Sequence, residues 1–350
     1  MTSKVLLITP PLTQLNTAYP ATTMLAAHLK QRGFAAAQRD LSIDLISAIY
    51  TPDFLKRIFL QTKPSAKNRR MLEQQNAYVN TVQSVMRFLQ GKDSTLATRI
   101  AGGDFLPKGK RFDSVADLDW AFGATGLTDK AKHIATLYVE DIADFIRENI
   151  DAHFDLVRYA ERLSVSAPTF DKIHAALQAQ PSLIDELMLQ ILDSYILVEN
   201  TDIIGFTVPF PGCLFSALRC AQHVKKQYPH IKIVMGGGYV NTELRNISDV
   251  RIFDYVDFIT LDDGELPLEK IILFLQKNED INNLVRTFYT NEDKVLIYSE
   301  NDEQNIRFAE LPAPDFSNLP SEKYISLVEL TNPMHKLWTD GAWNKLTVAH

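Results

Sequence analysis

The strongest constraint on this chain is a recurring pattern: a short apolar run, an abrupt stop at proline or glycine, then an amphipathic stretch. "KVLLITPP" (4–11), "DIIGFTVPFPG" (202–212) and "IKIVMGGG" (231–238) each start it, and "FDYVDFITLDDGE" (253–265) repeats it more weakly. A strand buried on both faces loses the polar alternation of a half-exposed one, so these runs read as parallel strands under helices. Proline cannot donate to a ladder, and it closes two of them. Helical spacing follows in "ATTMLAAHLKQRG" (21–33), where Met24, Leu25, Ala27 and Leu29 share a stripe that stops at Gly33. "CLFSALRCAQHVKKQYP" (213–229) and "LPLEKIILFLQKN" (266–278) behave alike, and "FAAAQRDL" (34–41) is a weaker second strand. The expectation is an α/β fold with a doubly wound sheet of about five parallel strands, drawn from 1–41 and 200–280.

The alternation lapses between 42 and 199, which reads as a large helical insertion. Pro52 follows Thr51 as a first-turn proline should, ahead of Phe54, Leu55, Ile58 and Phe59. Apolar stripes run through Tyr78, Val82, Val85, Met86 and Leu89, through Ile142, Ile146, Ile150, Phe154 and Val157, and through Leu183, Leu187, Ile191 and Tyr195. Between them, 91–115 reads as loop. Further on, "VRTFYT" and "KVLIYS" predict a short hairpin region over 281–309, and "ELPAPDFSNLPSEKY" (310–324) a proline-rich linker. The terminal "KLTVAH" begins a strand-like run, so 310–350 reads as linker and the start of another domain.

Bulk properties narrow the function classes. Thirty-six basic against forty-three acidic residues give a net charge of -7, which advertises no nucleic-acid surface. The basic runs "AKNRR" (66–70) and "KGKR" (108–111) are short and isolated. Two cysteines, Cys213 and Cys220, make neither a disulfide framework nor a structural metal site. No stretch approaches a membrane span, and the opening run ends too soon at prolines for a secretory leader. A cytoplasmic protein is the expectation.

Open parallel sheets bind ligands beyond the carboxyl ends of their strands, where strand order reverses. For the order 2-1-3-4-5 that point lies between "VLLIT" and "IIGFT", facing the loops "PPLTQLNTAYP", "TVPFPG", "GGGYV" and "DDGEL". Gly236, Gly237 and Gly238 allow two readings. Either they make a tight strand-to-helix turn needing positive φ, or they let backbone pass close to a bulky ligand. The carboxylates of "LDDGE" likewise serve acid–base or magnesium chemistry, or simply place Glu265 in a first helical turn. The first loop has no G-x-G-x-x-G, no lysine–serine pair follows the glycines, and no histidine pairs with another ligand at metal spacing. No catalytic set and no metal ligands emerge.

In order and spacing, these pieces resemble the N-terminal part of a cobalamin-dependent radical S-adenosylmethionine enzyme: a Rossmann-like (flavodoxin-like) B12-binding domain, then a linker into a radical SAM barrel. The resemblance covers 1–41 and about 200–350. It rests on "LLITPP…AYPATTMLAAHLKQRG", "DIIGFTVPFPG", "KIVMGGGYV", "FITLDDGELPLEKII" and, most familiar, "LPAPDFSNLP". It implies cobalamin as cofactor and partner, with Thr207 giving the nucleotide tail a hydroxyl and the glycines giving it space. The implied binding set is Pro11, Thr17, Thr207, Val208, Pro209, Gly236, Gly237, Gly238, Tyr239, Gly264 and Glu265. On this reading a leucine at position 237 blocks the tail without disturbing the fold.

Two departures qualify the likeness. Many B12 modules carry an Asp-x-His-x-x-Gly motif after the first strand; here that loop has no histidine, so neither His28 nor another histidine is the implied cobalt ligand. The Cys-x-x-x-Cys-x-x-Cys motif that binds a [4Fe–4S] cluster and S-adenosylmethionine is also missing, and "KLTVAH" resembles the strand just upstream of it. The implied function is the cobalamin-binding region of a longer radical SAM enzyme, a methyltransferase among the options, with its barrel as intramolecular partner. A non-catalytic B12 carrier or sensor, or a scaffold without corrin, is the alternative.

Overall fold

The computed structural model describes residues 3–328 except 115–117, 119–121, 123–125, 157–169, 278 and 302. A seven-stranded sheet runs in the order β2-β1-β3-β4-β5-β6-β7. Its strands are β1 (Lys4–Thr9), β2 (Ala35–Asp40), β3 (Ile203–Thr207), β4 (Lys232–Gly236), β5 (Phe258–Thr260), β6 (Thr287–Thr290) and β7 (Leu296–Tyr298). The first five are parallel, with Val5 opposite both Ala36 and Ile203. The hairpin β6–β7 extends the same sheet antiparallel from β5, pairing Ile259 with Phe288. Strand order reverses between β1 and β3.

The described helices are α1 (Pro20–Gln31), α2 (Leu41–Ile49), α3 (Pro52–Gln61), α4 (Arg69–Glu73), α5 (Gln75–Leu89), α6 (Leu96–Ala101), α7 (Leu127–Asn149), α8 (Asp171–Gln178), α9 (Leu183–Glu199), α10 (Pro211–Gln227), α11 (Gly238–Glu243) and α12 (Glu265–Leu275). Local chemistry starts several of them. Thr51 caps α3 ahead of Pro52, and Ser182 and Asp185 form a reciprocal capping box on α9. Alternation along the strands splits the core. Val5, Leu7, Ile203, Val234 and Phe258 face α1 and α12, while Leu6, Ile8, Ile204, Phe206 and Met235 face α10 and the inserted helices. No helix among the described residues is long and apolar enough to cross a membrane.

Three sequence expectations in the insertion need correcting. The stretch 91–115 is not all loop: α6 forms where Leu96, Ala97, Ile100 and Ala101 bury, and a 3-10 turn follows at Lys110–Ser114. Tertiary packing makes that helix, and Gly102 and Gly103 just after it disguise it. The Ile142 stripe leaves the helix at Asn149; Phe154 is buried beyond its end, and Val157 lies outside the described residues. On α9 the deepest face is one residue further along, at Ile184, Met188, Leu192 and Ile196.

Residues 311–328 lie across the β2 edge and the insertion as a strap. Asp315 accepts from Lys30 Nζ at 2.5 Å, and the Gln38 side chain donates to the Ser317 carbonyl. Ile325 N donates to the Leu15 carbonyl and Ser326 N to that of Leu89. Val328 N reaches Thr136 Oγ1 at 2.9 Å. The sequence expectations for 329–350, "KLTVAH" included, concern residues outside those described.

The strap crosses one buried acid. Asp40 caps α2, accepting from Ser42 N and Ile43 N through Oδ1, and receives the Tyr324 hydroxyl at 2.9 Å through Oδ2. Beside it, Asp44 accepts from Lys323 Nζ and the Tyr195 hydroxyl. Burial pushes the Asp40 carboxyl from its ordinary 3.8 up to about 7; the Tyr324, Ile43 and Ser42 bonds oppose this and Asp44 adds to it. Across that window the folded chain keeps a proton that the unfolded chain has released, so Asp40 lowers stability as pH rises from 4 to 7, by on the order of 4 kcal/mol. Asparagine keeps the cap without titrating. Urea midpoints at pH 4.5 and 7.5 should therefore show D40N gaining on the wild type with pH. A difference between the two proteins that does not change with pH rules this out.

Candidate functional site

A pocket of about 210 Å³ opens on the α1/α12 side of the sheet, at the carboxyl ends of its central strands. Leu7, Gly205 and Val234 form its floor, and Thr207, Gly236 and Thr260 its inner end. One wall is the start of α1, from Tyr19 to Leu25, and the other is Gly264, Glu265 and Leu268 of α12. Both helices thus direct their amino ends, and with them their positive dipole ends, toward the opening. At the rim, Tyr19 meets Phe210 edge to face at 6.0 Å, and Phe210 is 47% exposed.

The floor exists because of Gly205. A Cβ built there would meet only Leu7 Cδ2, at 2.9 Å, and otherwise enter open space. A glycine inside a buried strand weakens it, and here the missing side chain is pocket volume. Thr22 and Thr207 line the same space, but their Oγ1 atoms are buried out of reach from it and have no hydrogen-bond partner among the described residues.

The glycine triplet works differently from a ligand cradle. Gly237 has φ +113°, and a Cβ on it would sit 2.7 Å from Val208 N and 2.8 Å from Val208 O. The β3 loop is drawn in by Val208 N donating to the Gly236 carbonyl at 2.7 Å and by Tyr239 N donating to the Val208 carbonyl at 3.0 Å. Gly238 is held close to the Pro209 carbonyl in the same way, at 3.2 Å from a notional Cβ. The protein's own backbone takes most of the space, so a leucine at 237 would disturb the fold itself. That corrects the sequence expectation. Gly236 abuts Thr260 Oγ1 and still faces the pocket.

The predicted residues therefore separate by position. Thr207, Gly236, Gly237, Gly264 and Glu265 line the pocket. Val208 and Pro209 back the glycines. Pro11 does not line it; its carbonyl accepts the Ser216 hydroxyl and so ties the first loop to α10. Thr17 and Tyr239 are also buried away from it, Tyr239 in the core on the other side of the sheet. Sequence reasoning missed Gly205, Thr22, Met24 and Leu25. Gly205 left a signal, a glycine at the centre of an apolar run; Thr22 left none.

Acids gather at the mouth. Asp262 sits at φ 61° and is clamped by Asn241, whose Oδ1 accepts from Asp262 N at 2.7 Å, and by Arg245 at 2.6 Å. Asp263 accepts from Asn305 at 2.7 Å. Glu265 is the first residue of α12, where the helix dipole favours a carboxylate. Among the described residues, no group of three or more histidine, cysteine or acidic side chains is arranged to hold a metal. His28 is buried between α1 and α12 with Nε2 3.0 Å from Glu269 Oε2, and so belongs to the helix contact behind the pocket. Cys213 and Cys220 are both buried on α10, and burial pushes the Cys213 thiol up to about 12.

No protein-family model, no curated protein and no solved structure matches the chain.

Proposed function

We propose that the pocket takes the nucleotide tail of a cobalamin, and that the chain is the cobalamin-binding region of a radical SAM enzyme, with methyltransferases among the candidate types. The observation that carries this reading is a sheltered pocket at the strand-order reversal, floored by a strand glycine. That floor is a feature of a fit: Gly205 leaves room for a flat ring, and Thr207 lines the inner end beside it. Leu7, Val234, Met24 and Leu25 would cover the ring faces and exclude water. The amino ends of α1 and α12 would favour the tail's phosphate. When bound, cobalamin supplies a cobalt centre that can carry a methyl group.

Cys213 and Cys220 do not fit an iron–sulfur cluster, since both are buried on one helix and number one fewer than such a site requires. On the proposed reading, the [4Fe–4S] cluster and S-adenosylmethionine would belong to a barrel outside the described residues. The free thiols agree with a reducing cytoplasmic setting.

The test is a titration with hydroxocobalamin and with dicyanocobinamide, which has the corrin ring but no nucleotide tail. Tail binding predicts that cobalamin binds at least about 100-fold more tightly, the equivalent of about 3 kcal/mol from the tail alone. Equal affinity for the two would remove the pocket from the reading.

A further inference from the structure

We infer that the strap (311–328) seats the α1 wall of the pocket, with Asp315 as its positioning residue, so that strap docking and ligand binding strengthen each other. The binding half of this rests on reading the pocket as a tail site.

Three anchors of the strap fall on the one segment that forms that wall. Ile325 N donates to the Leu15 carbonyl at 2.8 Å, in the loop that leads into α1. Asp315 N donates to the Thr23 carbonyl at 3.1 Å, near the start of the helix. The Lys30 ammonium, near the helix's far end, donates to Asp315 Oδ2 at 2.5 Å and to Ser317 Oγ at 3.1 Å. Asp315 also accepts from Ser317 N through Oδ1 at 2.7 Å, and its carbonyl accepts from the Gln38 side chain on β2. One residue therefore joins both ends of α1 to the edge strand.

The amino end of α1 needs such support. Tyr19 stands at its capping position and gives no side-chain cap, whereas Asp40 and Thr51 cap α2 and α3. The carboxyl half is tied to α12 behind the pocket, where Glu269 accepts from Arg32 Nε at 2.9 Å and pairs with His28. Thr22, Met24 and Leu25 line the pocket; Thr23, between them, does not, and the strap bonds there. Among the described residues, none of the strap lines the pocket. It holds the wall from behind.

A segment held by scattered single bonds opens more readily than the sheet it crosses. A ligand that fills the pocket meets the start of α1 and so binds the seated wall best. By linkage, the bound ligand then holds the strap down by the same factor that the strap adds to affinity. Lys30 and Asp315 are partly exposed, which limits their pair to a factor of about five.

The test uses the 350-residue chain with K30M, K30R and D315A, titrated with hydroxocobalamin and dicyanocobinamide. Hydrogen exchange is followed at Met24–Ala27, the first bonded amides of α1. K30M and D315A should each bind cobalamin about fivefold more weakly and cobinamide as the wild type does, while K30R keeps wild-type affinity. Met24–Ala27 should exchange faster in D315A, with the melting temperature lowered by no more than about 2 °C. In the wild type, cobalamin should slow exchange at Asp315, Ile325 and Val328. If K30M and D315A bind cobalamin like a wild type that prefers it to cobinamide, the coupling is refuted and the tail site stands. A loss of both corrinoids alike, with a much lower melting temperature, marks general unfolding and also refutes it. If the wild type binds cobalamin no better than cobinamide, the tail site falls and exchange decides the rest: faster exchange at Met24–Ala27 in D315A upholds the seating of the wall, and equal exchange overturns it.

Discussion

Valine at position 205 should cost the protein its corrinoid tail binding, by about 100-fold or more, and leave it as stable as the wild type or more so. The two halves of that result come from the same geometry. Gly205 lies within β3, paired with Leu7 on one side and Val234 on the other, so its backbone is that of an ordinary strand residue. Its Cβ position is crowded only by the end of the Leu7 side chain, which can turn away. A β-branched residue suits a strand better than glycine does and limits the freedom of the unfolded chain. The added methyls would occupy the pocket floor. Cobinamide binding should be unchanged in G205V, which separates loss of the tail site from loss of the fold. If G205V binds cobalamin like the wild type, the tail lies elsewhere.

Alanine at position 237 should do the reverse: it should destabilise the whole domain by about 3 kcal/mol or more, and binding should fail only as a consequence. Gly237 combines a backbone angle of +113° with a neighbour that cannot yield, because the Val208 backbone is held by hydrogen bonds to Gly236 and Tyr239. A side chain there either twists the turn or pushes the β3 loop outward and breaks both bonds. Urea unfolding measures the loss directly, and a G237A midpoint equal to that of the wild type would show that the turn relaxes without cost. Two glycines thirty-two residues apart in sequence thus meet at one pocket with opposite consequences, one creating volume and the other permitting a turn.

The sequence made some of this legible and hid the rest for physical reasons. Runs such as "VLLIT" and "IIGFT" announce parallel strands because burial on both faces erases polar alternation, and β1 and β3 sit where those runs lie. Helix α6 was hidden because a six-residue helix has almost no periodicity of its own and forms by packing on α7. The face of α9 was misjudged because apolar residues nearly surround it, so a choice between adjacent stripes carried little information. Prolines in "LPAPDFSNLP" (311–320) mark a segment without regular structure but do not reveal that Lys323 and Tyr324, just after it, reach Asp44 and Asp40. At the pocket the difficulty was of another kind. Consecutive glycines stand out to the eye, whereas Thr22 looks like any polar residue near the start of a helix. What distinguishes it is the lack of a partner, and that appears only once the surrounding atoms are in place.

The placement of the helical insertion inside the sheet also has a cost in time. β1 pairs with β3 through Val5 and Ile203, and everything between β2 and β3 must leave the ribosome before that pairing can form. At about 5–20 residues per second, the 1–40 unit waits on the order of ten seconds or more with the inner edge of β1 open. Throughout that wait Leu6 and Ile8 lack the far half of the core they join. During that wait the inserted helices, which share a core with Leu6 and Ile8, are the first part of the chain able to cover that face of the strand. An account of its expression should begin with the emergence of residue 207, when the two halves of the sheet first meet.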